Sequence, residues 1–330
     1  MKISLCRPIC FWLVGLLAVT LIAACNTVNK TSATNHKLQD ANCRVVQHTM
    51  GETCIPHHPQ RMVVLHEEAL ANSVKLGFRP IASVYEPNTP LPKYLQGKVT
   101  KVESVGGYGS PNLEKILYLK PDLILADSYY SENFYEQLSQ IAPTVVLNIP
   151  FPPPTWKEQL EALAQILGKE NVAQQLIDDY WQRIKQLKQA LGIGAASPKE
   201  NRRHPMQVSV ASAGSEYGIW AYGERHFSGT ILSDIGLQRP RAQQGDLFYV
   251  EGISEETISS IDGDVLFFLT WDQEDDKKAL EKLKQEPLWQ QLNVVQRNQV
   301  YFVGKHWHDA NIFAINAILD DLEKYLVNSP

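Results

Sequence analysis

Apolar residues recur at steps of three and four between positions 171 and 191: Val172, Ala173, Leu176, Ile177, Tyr180, Trp181, Ile184, Leu187 and Leu191. That spacing places them on one stripe of a helix. The other face carries Gln174, Asp178, Asp179, Arg183 and Lys188, with Asp179 and Arg183 at ion-pair spacing. At about 1.5 Å per residue the helix is roughly 30 Å long, the diameter of a small domain. It is expected to be a rigid strut, assigned to residues 169–191, between two α/β lobes. The alternative is an ordinary surface helix of one domain.

Before the strut the pattern alternates between the two periods. Short apolar runs at Arg61–Leu65, Ile81–Val84, Asp122–Ala126 and Thr144–Asn148 read as buried parallel strands. Helical stretches at Glu67–Leu76, Asn112–Leu119 and Glu132–Ile141 separate them, and Glu86–Tyr108 reads as loop-rich. Thr155-Trp156-Lys157-Glu158 is a capping-box pattern that opens a helix to Leu167. After the strut come strands at Gln207–Ala211, Val265–Leu269 and Val300–Val303. Helices are expected at Gly229–Ile235, Glu256–Ile261, Lys277–Lys284 and Ile312–Val327. Strands alternating with helices imply parallel sheets with right-handed crossovers.

The two halves share a unit. Asn112-Leu113-Glu114-Lys115-Ile116, followed by Pro121-Asp122-Leu123-Ile124-Leu125, parallels Ser254-Glu255-Glu256-Thr257-Ile258, followed by Gly263-Asp264-Val265-Leu266-Phe267. In both, a glutamate near a helix start precedes an Asp–strand junction at the same offset. Leu76–Pro80 is echoed by Ile235–Pro240 with one residue more.

The first residues stand apart from this pattern. Lys2 and Arg7 precede an apolar run from Ile9 to Ala24, which has the charge and length of a secretory leader. It ends Leu21-Ile22-Ala23-Ala24-Cys25, which looks like a bacterial lipobox. Cleavage would leave a lipid-modified Cys25 as an anchor on a membrane surface, extracytoplasmic, on the periplasmic side or the outer face. Residues 1–24 are thus assigned as leader and 25–42, polar and rich in Thr, Asn and Lys, as a flexible tether. Of five cysteines, Cys43 and Cys54 remain. They flank a plausible hairpin in an oxidising context, so a disulfide is expected, two buried thiols being the alternative.

The chain has 330 residues, suiting two domains, and 44% hydrophobic and 20% charged content, ordinary for a soluble fold. Its formal net charge of −5 argues against nucleic acid.

At this point the chain resembles the lipid-anchored substrate-binding proteins of ABC importers for iron(III)–siderophore complexes, the ferric-citrate-type group. The matching segments are His48–Thr53 leading to Ile55-Pro56, then Pro59–Leu65, Leu76–Pro80, Asn112–Ile116 and Lys120–Leu125. Pro287-Leu288-Trp289 and Gln299-Val300-Tyr301 follow. Together they cover roughly residues 43–327 and mark the family more sharply than the ligand, because cobalamin and haem binders look similar.

The resemblance implies an α/β, two-lobed periplasmic-binding-protein fold. Each lobe is a mostly parallel sheet with flanking helices (43–168 and 192–330), joined by the one long helix with little hinge motion. It implies capture of an Fe(III)–siderophore as transported ligand, with no intrinsic cofactor. The expected partner is an ABC permease dimer with its cytoplasmic ATPase, and the protein is expected to be a monomer. In the resembling family, glutamates matching Glu114 and Glu256 sit on the lobe rims and pair with permease arginines. A Cys43–Cys54 bridge is not required by the family pattern.

Ligands of open parallel sheets bind beyond the carboxyl ends of the strands. In the first half that singles out His66, Glu67, Tyr85, Tyr108 and Ser128-Tyr129-Tyr130. In the second it singles out Glu216, Tyr217, Trp220, Tyr222, Arg225, Arg241, Trp271 and Lys305-His306-Trp307. Clustered aromatics suit a bulky, partly apolar ligand, and Arg suits oxygen anions on an iron chelate. His306 and His308 would share a face on an extended segment, but no further donors complete a metal site. The rival class, an exported enzyme, finds no Gly-x-Ser-x-Gly, Walker loop or Gly-x-Gly-x-x-Gly after a strand.

Overall fold

The structure, a computed structural model, describes residues 43–85, 91–194 and 206–328; the leader, Cys25 and the tether lie outside them. Arg44–Pro330 forms one compact unit. No helix of the described residues is long and apolar enough to cross a membrane.

The described residues begin with a hairpin, β1 (Cys43–His48) and β2 (Gly51–Pro56), and Cys43 and Cys54 are disulfide-bonded. The first sheet follows: β3 (Met62–Val64), β4 (Ala82–Ser83), β5 (Glu103–Ser104), then a small ribbon of β6 (Gly106–Gly107) and β7 (Ser110–Pro111), then β8 (Leu123–Asp127) and β9 (Thr144–Leu147). Its order is β5-β4-β3-β8-β9, all parallel. Helices α1 (Glu67–Lys75), α2 (Leu113–Leu119) and α3 (Tyr135–Ile141) lie between the strands; α4 (Trp156–Leu167) and the strut α5 (Glu170–Ala190) follow.

The second sheet is built from β10 (Val208–Gly214), β11 (Gly218–Tyr222), β12 (Tyr249–Ile253), β13 (Val265–Leu269) and β14 (Val300–Val303). Its order is β12-β11-β10-β13-β14, parallel from β10 to β14 and antiparallel at the β11–β12 edge. Around it lie α6 (Phe227–Ile235), α7 (Glu274–Gln285), the single turns α8 (Pro287–Gln290) and α9 (Asn293–Gln296), and α10 (Ile312–Leu322). The closing helix runs to Val327 as expected, α-helical as far as Leu322 and widening to a π-helix over Glu323–Val327. Glu256 lies in a 3-10 helix, Glu255–Ile261.

Strand alternation explains the layers. In β8, Leu123 and Leu125 face one core while Ile124 and Ala126 face another; in β13, Val265, Phe267 and Leu269 oppose Leu266 and Phe268. Both faces are buried, so both strands read as continuous apolar runs. The inner faces of the two sheets share one core with Trp156, Ile177, Tyr180 and Ile184 of α4 and α5.

The repeat has a physical role. The Asp122 carboxylate accepts the backbone N–H groups of Gln60 (2.7 Å) and Arg61 (2.9 Å) just before β3. Asp264 accepts that of Gln207 (2.8 Å) just before β10. Each aspartate thus fastens the start of its own strand to the start of its parallel neighbour.

The strut buries Ala173, Ile177, Tyr180, Ile184 and Leu187 and packs against α4, α6 and α10. The expected Asp179–Arg183 pair does not form. Gln175 donates to Asp179 (2.8 Å), and Arg183 turns to Asp320 (2.6 Å) and Asn316 (3.1 Å) on α10. A tertiary partner outcompetes the local one because an exposed i,i+4 pair contributes only about 0.3–0.5 kcal/mol. On the buried side, Asp234 of α6 accepts from Lys157 of α4 (2.7 Å) and Tyr180 of α5 (2.6 Å). The Lys157 ammonium also lies over the Tyr180 and Trp181 rings, 4.8 and 4.7 Å from their centroids.

Asp234→Ala leaves both donors without their acceptor and should lower stability by about 1–3 kcal/mol in urea unfolding. Asp178→Ala, on the exposed face, should stay within about 0.5 kcal/mol. Equal, negligible shifts would show that Asp234 does not tie the three helices.

Candidate functional site

Three adjoining cavities open beyond the carboxyl ends of the strands, of about 300, 910 and 770 Å³. Trp271, just after β13, lines all three. The smallest lies between residues of both sheets: His66, Tyr108, Tyr129 and Phe151 on one side, Phe248, Tyr249, Lys305 and His308 on the other.

Local chain geometry sets these side chains. His66 follows β3 and caps α1, its Nδ1 accepting the Ala69 N–H (3.4 Å). Buried Asp127 ends β8 and folds the next turn: its Oδ1 accepts the N–H groups of Tyr129 (2.9 Å) and Tyr130 (2.6 Å), and its Oδ2 accepts Ser131 Oγ–H (2.8 Å). The turn thereby presents Tyr129, 58% exposed, edge-on to Tyr130 with centroids 4.7 Å apart. Trp271 is aimed by its indole N–H, which donates to Ser212 Oγ (2.8 Å), and it lies 6.3 Å from Trp220.

The floor of the cleft is a polar network joining the two halves. Lys305, after β14, donates to both oxygens of Glu67 (2.9 and 3.0 Å) and lies 3.1 Å from Asp309. Tyr108 donates to Glu67, and Tyr94 to Asp309 (2.6 Å). Asn311 reaches Tyr94 (2.9 Å), while Asn72 of α1 accepts the Ile312 N–H (3.1 Å) at the start of α10. Burial pushes the Asp309 carboxyl up, and Lys305 opposes that. Desolvation works against the Lys305 ammonium, but Asp309 and Glu67 overcome it and its pKa rises. Behind this floor, desolvation and the neighbouring Lys305 bring His308 down to about 4. Burial, with His308 and Arg239 nearby, holds His226 well below its ordinary value.

The expected contacts divide. His66, Tyr108, Tyr129, Trp220 and Trp271 line the first two cavities, and Tyr85 lines the third, its hydroxyl donating to Val102 O (2.8 Å). Tyr222 and Trp307 are placed in the core instead. Tyr222 is fully buried with its hydroxyl 3.3 Å from His308; Trp307 stacks on Phe267 (4.3 Å) and donates to Asp321 (2.9 Å). Their strand-end positions are shared by residues that turn inward. Arg225 pairs with Asp246 (3.2 Å) and Arg241 sits exposed in a 3-10 turn; neither lines these cavities.

The His306–His308 segment is a 3-10 turn rather than extended, so the two rings part. His306 turns to Asp321 (2.7 Å), and His308 faces the cavities. Among the described residues no group of three or more His, Cys, Asp or Glu could hold a metal ion. Sequence reasoning missed Tyr249, Phe151, Phe248, Tyr94 and Asp309. Tyr249 lies on the unrecognised edge strand β12, and Phe151 precedes the proline run.

A family profile for periplasmic binding proteins matches residues 63–306, and the chain belongs to that family. It is 32% identical to the probable siderophore-binding lipoprotein YfiY of Bacillus subtilis, over 96% of this chain and 97% of that protein. It is also 32% identical to the achromobactin-binding periplasmic protein of Dickeya dadantii, over 81% and 86% respectively. The crystal structure of Staphylococcus aureus SirA complexed with staphyloferrin B superposes with a TM-score of 0.70 at 27% identity, covering 86% of this chain and 98% of that one. The two-lobed α/β fold expected from the sequence is thus the fold shared with SirA.

The buried histidines give a pH test. Both are neutral when folded and take up a proton on unfolding, so stability should fall as pH drops below about 6.5 toward about 4. Each contributes at most about 1.4 kcal/mol per pH unit. In urea unfolding across this window His226→Gln should show a shallower decline than wild type. Parallel profiles would mean that His226 is not held neutral by the fold.

Proposed function

We propose that the chain is the extracytoplasmic substrate-binding protein of an ABC importer. It captures an Fe(III)–siderophore between its lobes and delivers it to the membrane permease. The observation that carries this reading is the aromatic cleft at the strand ends of both sheets, with Tyr129, Trp220, Tyr249 and Trp271 on its walls. Such walls suit a bulky chelate with apolar faces. The names of the relatives support the same reading. Residues 43–168 and 192–330 are taken as the lobes and 169–191 as the strut; the two separate sheets on either side of α5 support that division. Anchoring through Cys25 is part of the proposal.

Of the expected ligand contacts, His66, Tyr85, Tyr108, Tyr129, Trp220 and Trp271 are retained, with Tyr249 added. Tryptophan fluorescence should quench on addition of a ferric siderophore and respond little to the iron-free form. Trp271→Ala should weaken binding by about tenfold or more. Tight binding of cobalamin or haem, with no response to ferric chelates, would favour the sister class of ligand.

Docking is assigned to Glu114 and Glu256. Each is exposed at the second position of its helix, behind an Asn112 or Ser254 cap, one in each half. A carboxylate there is favoured by the helix dipole by only about 0.3–1 kcal/mol. Charged rim groups instead set orientation and association rate with a partner. Replacing both with Ala should abolish uptake in proteoliposomes carrying the permease and its ATPase while leaving chelate binding by the purified protein intact. Normal uptake by the double variant would remove the docking role.

A further inference from the structure

The sign of the charge around the cleft is opposite to what an anionic chelate needs. The largest of the three cavities is walled by Trp220, Tyr249, Trp271 and His308, and its charged side chains are Glu216, Glu251, Asp275 and Asp276. Among the described residues no lysine or arginine lines it. Asp275 is partly offset by exposed Lys278 (3.0 Å), and Asp276 accepts from Ser215 N–H (2.9 Å). Among the described residues the adjoining cavity holds one lysine or arginine, Lys305, already shared by Glu67 and Asp309, with Glu68 beside them. His308, on both walls, stays uncharged down to about pH 4. Of the two arginines expected to meet oxygen anions, Arg225 is engaged by Asp246, and Arg241 lines none of the three cavities.

These carboxylates define no site on their own; the cavity and its aromatic wall do that. They decide what may enter. Fe(III) bound by three hydroxamates is neutral overall, whereas three catecholates leave a trianion and citrate-type carboxylates leave a negative complex. We propose, resting on the ferric-chelate reading above, that the ligand is a neutral or cationic tris-hydroxamate. Its uncharged iron core lies against Trp220, Tyr249 and Trp271, and a protonated amine, where present, is directed to Glu216 and Glu251. Such a pair is only partly desolvated, so its contribution is modest and salt-dependent.

Fluorescence titration of the full mature protein tests this with four probes. They are the Fe(III) complex of a linear trihydroxamate ending in a primary amine, the same complex N-acetylated, ferric citrate, and a ferric tris-catecholate. Both trihydroxamates should bind more tightly than the two anions. The amine form should exceed the acetylated form by about fivefold at low ionic strength, the scale of one partly solvated ion pair, and the gap should close at high salt. The Glu216→Gln/Glu251→Gln double variant should bind the two trihydroxamates equally. Tighter binding of ferric citrate or of the tris-catecholate would overturn the charge inference while leaving the ferric-chelate reading in place. An amine preference that survives in the double variant would overturn the role of Glu216 and Glu251. Failure of all four probes to bind would overturn both readings.

Discussion

Two sheets share one helical stripe, and that constraint orders the rest of the molecule. A parallel sheet must cover both faces, and each sheet here covers its outer face with its own helices. The inner faces have only α4, α5 and their neighbours to close against, so both halves converge on the same core. Fully burying a side chain such as Ile177 or Ile184 contributes about 1.5–3 kcal/mol, and the stripe repeats that along its length. Asp234 then fixes the rotation of the stripe, because Lys157 and Tyr180 reach one carboxylate oxygen from two different helices. A strut that is both buried and pinned holds the strand ends of the two sheets at a set spacing. The three cavities open there.

The floor of the cleft is polar, and for a physical reason. Where chain from one half meets chain from the other, Glu67 and Asp309 are almost inaccessible. Carboxylates so placed are costly unless paired and hydrogen-bonded. Lys305 serves both, with Tyr108 and Tyr94 completing their shells. The lysine is therefore occupied within the protein. A positive residue at the base of a binding cleft would ordinarily suggest an anion receptor; here its charge is already balanced twice over.

Much of this was legible in the residues. The strut, the central strands and the duplicated helix–Asp–strand unit all follow from local period and offset, because burial enforces those signals at every position. The disulfide followed from export and spacing. Hidden were the features decided by long-range partners. Arg225 reads as free until Asp246 folds beside it, and Arg183 reads as the partner of Asp179 until α10 arrives. Tyr222 and Trp307 stand at strand ends like true wall residues, yet their rings turn into the core. Strands β11 and β12 escaped notice because β11 opens on Gly218, Gly252 interrupts β12, and the exposed edge β12 shows no clean alternation.

That unnoticed edge is where the two halves stop being copies. Both start from the same clamp, with Asp122 and Asp264 fastening a central strand to its neighbour. The first sheet continues in parallel and reaches the cleft through loops, so Tyr129 and Tyr130 depend on the Asp127 turn for their aim. In the second sheet the chain reverses after β10 into an antiparallel hairpin, which carries Trp220 and leads to Tyr249 on strands rather than loops. Side chains fixed to a sheet lose less freedom on binding than side chains on a turn. The second half therefore supplies a rigid pair on strands, Trp220 and Tyr249, and the first an adaptable pair on the Asp127 turn, Tyr129 and Tyr130. A cleft with one fixed and one compliant aromatic wall can hold a chelate's core in a constant place while tolerating variation in the arms around it.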